Sequence, residues 1–254
     1  MNTIICGSKK YQNRDFNGLV DTFPTIVRIN MLLPGFGYGK RDPNFHIFNA
    51  HINEYYQNNI TIDEWYSNYK EYGISIDYLR LFKNYLDTNT DTQFIAFNNN
   101  NTDAMNEVLI SNQIPMFIEK QLRCGLAIVP ECIKQNIKPY LIGFSLKKED
   151  LLKNVYNRRD ALSIDIHQPY DEVSLIRMLH DKGLIDASLC IIEDNAKLTL
   201  DVSILSPSIQ SIDLLKQIYN KIHVSNCSSE TKAYFENTMA TKLIHVYDKT
   251  YLLQ

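Results

Sequence analysis

The chain has 254 residues, 44% of them hydrophobic and 22% charged, and its 26 basic and 29 acidic side chains leave a net charge of −3. That apolar content suffices for a packed core, which excludes a disordered or fibrous chain. The basic residues form no clustered excess, which argues against a dedicated nucleic-acid binder.

The sequence opens Met1-Asn2-Thr3-Ile4-Ile5-Cys6-Gly7, with no basic stretch leading into a long apolar one, and polar residues interrupt every apolar run before about 18 residues. A cytoplasmic protein is expected. Cys6, Cys124, Cys132, Cys190 and Cys227 are scattered without C-x-x-C spacing and read as reduced thiols, with Cys190 in a core strand.

Short β-branched or apolar runs at 3–6, 25–29, 45–48, 93–97, 115–118 and 139–142 predict strands. Between them, apolar residues recur at three- and four-residue spacing over 62–72, 76–86, 103–111 and 125–135, which predicts helices. This alternation implies an α/β fold, a mainly parallel sheet flanked by helices. Residues 147–168 are polar and carry Lys147, Lys148, Lys153, Arg158 and Arg159, as a lid over the sheet edge would. Helices are then expected at 170–180, 209–219 and near 231–237. Strands are expected at 188–193 and 198–204, joined by the turn Asp194-Asn195, and at 221–224 and 242–247. No linker rich in Gly, Ser or Pro divides the chain, so 1–254 reads as a single domain.

Polar residues at the ends of these strands are the candidates for chemistry, because ligands of parallel α/β sheets bind at the carboxyl edge. The first strand runs into Gly7-Ser8-Lys9-Lys10, either an anion-binding turn or an ordinary strand-to-loop turn. Asn30 and Asn49 end the next two strands, where an amide either contacts a nucleotide or serves the turn. Arg123 and Gly125 precede a helix, a favourable anion position. His167 follows the lid, as a general base would. Trp65, Tyr66, Tyr69 and Tyr72 have the spacing of a packing stripe, with stacking on an acceptor sugar as the functional alternative. Glu193 and Asp194, adjacent on an expected strand, would point to opposite faces, so a metal or glycosidase pair is set aside there. With no D-x-D pair and no His or Cys metal spacing, no metal cofactor is expected.

Taken in order, the strand-glycine start, Val27-Arg28-Ile29-Asn30, Gly39-Lys40-Arg41, Phe48-Asn49, Cys124-Gly125, Lys138-Pro139-Tyr140-Leu141-Ile142-Gly143 and the late segment Leu214 to Val224 resemble the bacterial sialyltransferases of glycosyltransferase family 42. The resemblance implies a nucleotide-binding, GT-A-like α/β fold with a mobile lid. It also implies a metal-independent, inverting transfer of a nonulosonic acid from a CMP-sugar to a surface glycan acceptor. Such a protein would serve capsule or lipooligosaccharide assembly, at the inner face of the membrane or free in the cytoplasm, with homo-oligomerisation left open. Asn30 and Asn49 would match the two asparagines that contact the sugar donor, Gly125 the glycine of a Ser-Gly turn beside it, and His167 the base. Gly7, Ser8 and Arg123 complete the expected donor site. The family's Gly-Asn-Gly-Pro-Ser loop is here Gly7-Ser8-Lys9-Lys10-Tyr11, and the tyrosine expected after Gly143 is missing. Tyr156, Lys147, Arg158 or Arg159 would then stabilise the departing phosphate. In the alternative register the base position falls near Ser203. The alternative to an active enzyme is an inactive nucleotide-binding or scaffold protein of polysaccharide biosynthesis.

Overall fold

The computed structural model describes residues 2–70, 73–96, 101–147, 169–228 and 244–247. Strands β1 (Thr3–Cys6), β2 (Thr25–Ile29), β3 (Phe45–Phe48), β4 (Gln93–Ala96) and β5 (Tyr140–Ile142) form one sheet in the order β4-β3-β2-β1-β5, every pair parallel. All four residues of β1 are buried, as expected where helices cover both faces of a parallel sheet. The α/β fold class is therefore as the alternating pattern implied.

The connections fix where a site can lie. Helix α1 (Asn17–Val20) joins β1 to β2, a loop leads on to β3, and α2 (Ala50–Gln57), α3 (Ile62–Tyr69) and α4 (Ile76–Thr88) join β3 to β4. The chain then returns through α5 (Asn101–Ser111), α6 (Cys124–Ala127) and α7 (Val129–Lys134) to lay β5 on the other side of β1. The strand order thus reverses between β1 and β5, where carboxyl-end loops diverge and leave a crevice.

Beyond these lie α8 (Pro169–Asp181), a 3-10 helix (Ser188–Ile191), β6 (Thr199–Asp201), α9 (Ile209–Ile218), β7 (Ile222–Ser225) and β8 (Ile244–Tyr247). β6, β7 and β8 make a second parallel sheet. Its Leu200, Ile222 and Val224 belong to the same buried cluster as Ile4, Ile5 and Leu141 of the first sheet. A separate cluster under α3 and α4 contains Phe48, Trp65, Tyr69, Leu79 and Phe82, and Tyr55 stacks on Trp65 at 5.7 Å. Trp65, Tyr66 and Tyr69 of the aromatic stripe are packing, and Tyr72 lies outside the described residues. Thr61 and Glu64 form a capping box at the start of α3, and Ser75 and Ser208 cap α4 and α9. No helix among the described residues is long and apolar enough to cross a membrane.

Four expected elements differ. The strand expected over 198–204 is cut to Thr199–Asp201, because Asp201 Oδ1 accepts the Ser203 N–H and turns the chain. Residues 115–118 are not a strand: Ile118 is buried, but its N–H donates to Asn106 Oδ1 and its carbonyl accepts from Asn106 Nδ2, so a side chain of α5 replaces a neighbouring strand. The run 188–193 is mostly 3-10 helix, because Asp186 Oδ1 accepts the Ser188 N–H at 3.0 Å and starts a turn. Cys190 is therefore buried on a helical turn, and the expected hairpin reduces to one antiparallel bridge, Ile192 with Leu200. Residues 125–135 divide at Ile128, where Pro130 in the first turn starts α7. The lid beyond Lys147 and the helix near 231–237 lie outside the described residues.

Candidate functional site

At the reversal point two glycine turns lie back to back. Gly7 N donates to the Ile142 carbonyl at 2.7 Å, and Lys9 N donates to the Gly143 carbonyl at 2.9 Å. A Cβ on Gly7 would run into the Gly143 carbonyl; one on Gly143, where φ is +75°, would lie 2.6 Å from Tyr38 Oη and 2.8 Å from the Gly7 carbonyl. Both positions therefore need glycine. Beside these turns opens a cavity of about 330 Å³ whose lining includes Lys9, Lys10, Lys147, Cys190, Glu193 and Asp194.

The charges lining it are tethered. Lys9 is 8% exposed, with its ammonium 5.0 Å from the centroid of the Tyr11 ring. Its carbonyl accepts a hydrogen bond from Tyr38 Oη. Lys147 is ion-paired with Asp201, which is 2% exposed and also accepts from Ser203 N at 3.2 Å and Ser203 Oγ at 2.6 Å. Burial pushes the Asp201 carboxyl up, but hydrogen bonds from Lys147 and Ser203 outweigh it and hold its pKa at about 2. Burial raises the Cys190 thiol to about 12, and its Sγ lies 3.2 Å from the Leu141 carbonyl, so at neutral pH it is a hydrogen-bond donor rather than a thiolate.

Glu193 and Asp194 lie in the stretch between the 3-10 helix and β6, and both line this cavity, which corrects the expectation of two opposite strand faces. The Asp194 carboxylate accepts Gln12 N at Oδ2 and Asn13 N at Oδ1, each at 2.8 Å. Asn13 Nδ2 donates to the Asp194 carbonyl at 3.2 Å, and Arg14 Nη2 to the Asn195 carbonyl at 2.9 Å. Nothing near Asp194 in the sequence signals this clamp, because its partners are 181 and 182 residues away.

The sheet brings Gly7, Asn30 and Asn49 to one carboxyl edge, directly after β1, β2 and β3. Asn30 has φ +52°, and its Oδ1 accepts the Asn49 N–H at 3.0 Å; Asn49 Oδ1 in turn caps α2 by accepting Ile52 N at 2.9 Å. Both side-chain oxygens thus serve the turns. Gly125, on α6, permits close packing: a Cβ there would lie 2.6 Å from the Phe144 ring. Arg123 is held through its Nε and its backbone N–H by Glu172 of α8, which is buried. Ser8 is half-buried between Gly7 and Lys9. Not one of these six residues lines the lysine cavity, so the expected donor site and the cavity are neighbours on one edge rather than a single pocket. Tyr156, Arg158, Arg159 and His167 lie outside the described residues. Among the described residues no group of three or more His, Cys, Asp and Glu side chains is placed to hold a metal ion.

The asparagine side of the edge also buries polar groups. Nε2 of the fully buried His46 donates to the Asn30 carbonyl at 2.6 Å, which leaves Nδ1 to accept from Tyr85 Oη at 3.2 Å. Burial pushes the imidazole pKa down to about 3, so it is neutral at pH 7. Arg28, equally buried, donates from Nη2 to the Gly39 and Arg41 carbonyls at 3.1 Å, while its Nε and Nη1 have no hydrogen-bond partner. Neither a protein-family model nor a curated protein sequence matches the chain.

Proposed function

We propose that the chain is a glycosyltransferase that moves a nonulosonic acid from its CMP ester to a glycan acceptor with inversion. The observation that carries this reading is the lysine-lined cavity beside the paired glycine turns, at the strand reversal of a parallel sheet. Crevices of this kind take phosphate-bearing ligands in α/β folds. In this reading Lys9, Lys10 and Lys147 hold the phosphate of the sugar donor. Asn30 and Asn49, with their oxygens anchored, offer amide nitrogens to the nucleotide or sugar.

In the transfer an acceptor hydroxyl oxygen forms a bond to the anomeric carbon while the bond from that carbon to the phosphate oxygen breaks, and the electron pair departs with CMP. Positive charge from the lysines stabilises the departing phosphate, which is the part a divalent cation plays for diphosphate donors. His167 takes the hydroxyl proton, a role assigned by family resemblance and by the suitability of a neutral imidazole near pH 7.

A thermal-shift series with CMP, CDP, UMP, UDP and GDP tests the binding half. CMP at 100 times its dissociation constant is expected to add about 2.7 kcal/mol of stability. Transfer from a CMP-sugar acid, undiminished by EDTA and suppressed about 100- to 10,000-fold in His167→Ala with CMP affinity retained, is the expected catalytic result. CMP binding without turnover on any acceptor would leave a nucleotide-binding protein. No nucleotide response at all would leave a scaffold.

A further inference from the structure

We propose that Asp194, although it adds negative charge to the cavity, is a positioning residue that favours binding of a phosphate there. The inference rests on the reading that an anion occupies the lysine cavity. The loop from Gly7 to Asn13 is fastened at two ends, and between them the Tyr11 ring packs edge-on against Phe16 at 4.9 Å. At the near end Lys9 is bound through its backbone N–H to the Gly143 carbonyl and through its own carbonyl to Tyr38 Oη. At the far end Gln12 and Asn13 give their backbone N–H groups to the two oxygens of Asp194. Lys10 lies between the fastenings and lines the cavity. Without the far fastening, the loop would lose two charged backbone hydrogen bonds just beyond Lys10 and Tyr11, and the freedom gained would have to be removed at the moment of binding, at a cost in affinity.

Charge alone argues the other way. A carboxylate in the cavity wall repels a phosphate, so neutralising it should tighten binding. The two effects therefore have opposite signs in Asp194→Asn, which removes the charge and also replaces one of the two acceptor oxygens with a donor. The charged hydrogen bonds to Gln12 and Asn13 are of the stronger kind, and their loss releases the loop.

Calorimetric titration of CMP and of inorganic phosphate into the full chain decides between them. Asp194→Asn is expected to weaken both ligands about tenfold. Asp194→Glu keeps the charge but displaces the carboxylate, and is expected to weaken them as well; it carries the test if the asparagine variant does not fold. Lys10→Ala should lose part of its effect in the Asp194→Asn background, whereas Lys9→Ala should keep its own, because Lys9 is fastened independently. Binding that is unchanged or tighter in Asp194→Asn, or fully additive effects with Lys10→Ala, would overturn the positioning role while leaving the phosphate site standing. A wild-type chain that binds neither CMP nor phosphate would overturn the site itself, and this inference with it.

Discussion

The carboxyl edge of the five-stranded sheet is built in two ways. On the β2–β3 side the polar groups turn inward: Asn30 and Asn49 spend their oxygens on backbone N–H groups, His46 is buried and neutral, and Arg28 is buried against loop carbonyls. On the β1–β5 side Lys9, Lys10 and Lys147 line a cavity, with Lys147 paired to Asp201 and the loop that carries Lys9 and Lys10 fastened by Tyr38 and Asp194. A polar residue at a strand end is thus not a ligand contact by position alone; what else its hydrogen-bonding atoms are doing decides it. The inward half supplies rigidity, and the lysine half supplies charge.

The largest expected difference between the halves is their response to acid. His46 has a folded pKa of about 3 against an ordinary value of 6.5, so below pH 6.5 the unfolded chain binds a proton that the folded chain refuses. Its contribution is complete above pH 6.5 and is lost as the pH falls from 6.5 toward 3, at up to about 1.4 kcal/mol per pH unit. On the lysine side, Asp201 has its pKa lowered from 3.8 to about 2, so its contribution is complete above pH 3.8 and lost only between there and pH 2. Denaturant unfolding at pH 7, 5.5 and 4 should show the upper loss, and His46→Gln should remove it. The same slope in that variant would place the titrating group elsewhere.

A smaller effect separates the lysine half from ordinary loop glycines. Gly7→Ala drives a Cβ into the Gly143 carbonyl, a backbone atom that cannot step aside, whereas Gly35 has φ +83° but open space around its missing Cβ. We expect about 3 kcal/mol from Gly7→Ala, or roughly 6–12 °C in melting temperature for a chain of this size, against about 1 kcal/mol for Gly35→Ala. Equal losses would mean that the two back-to-back turns are not a tight fit.

Much of the frame is legible in the sequence because it depends on local pattern. The runs Thr3–Cys6, Thr25–Ile29 and Phe45–Phe48 are strands over their full length, and their glycine or asparagine ends mark the edge. Legibility fails where a single polar side chain overrides the apolar pattern, whether twelve residues away or two. Asn106 completes the backbone pairing of Ile118, and Asp186 bends Ser188–Ile191 into a 3-10 helix. Helix α2 is missed although Ile52, Tyr55 and Tyr56 have helical spacing, because the run is only eight residues long and the Asn49 cap that starts it reads equally well as a ligand contact. The candidate site divides along the same line. Gly7 and the lysines are visible as strand-end residues, but Asp201 lies 54 residues from Lys147 and Asp194 more than 180 from its loop, spacings that no motif encodes.

The smallest effect is the most informative about the asparagine half. Asn49 does two separable things: its oxygen caps α2, and its amide nitrogen is free to serve a ligand. Asn49→Ser keeps an oxygen able to accept Ile52 N and discards the amide nitrogen, so stability should change by less than about 0.5 kcal/mol. If the amide contacts the bound nucleotide, CMP affinity should fall by somewhat under tenfold, the loss of one neutral hydrogen bond. That loss should be the same at 50 and 300 mM salt, because a neutral donor is not screened, whereas the loss in Lys10→Ala should shrink as salt rises. An Asn49→Ser protein that melts normally and binds CMP as the wild type does would make Asn49 purely a helix cap and leave the lysine half alone to hold the ligand.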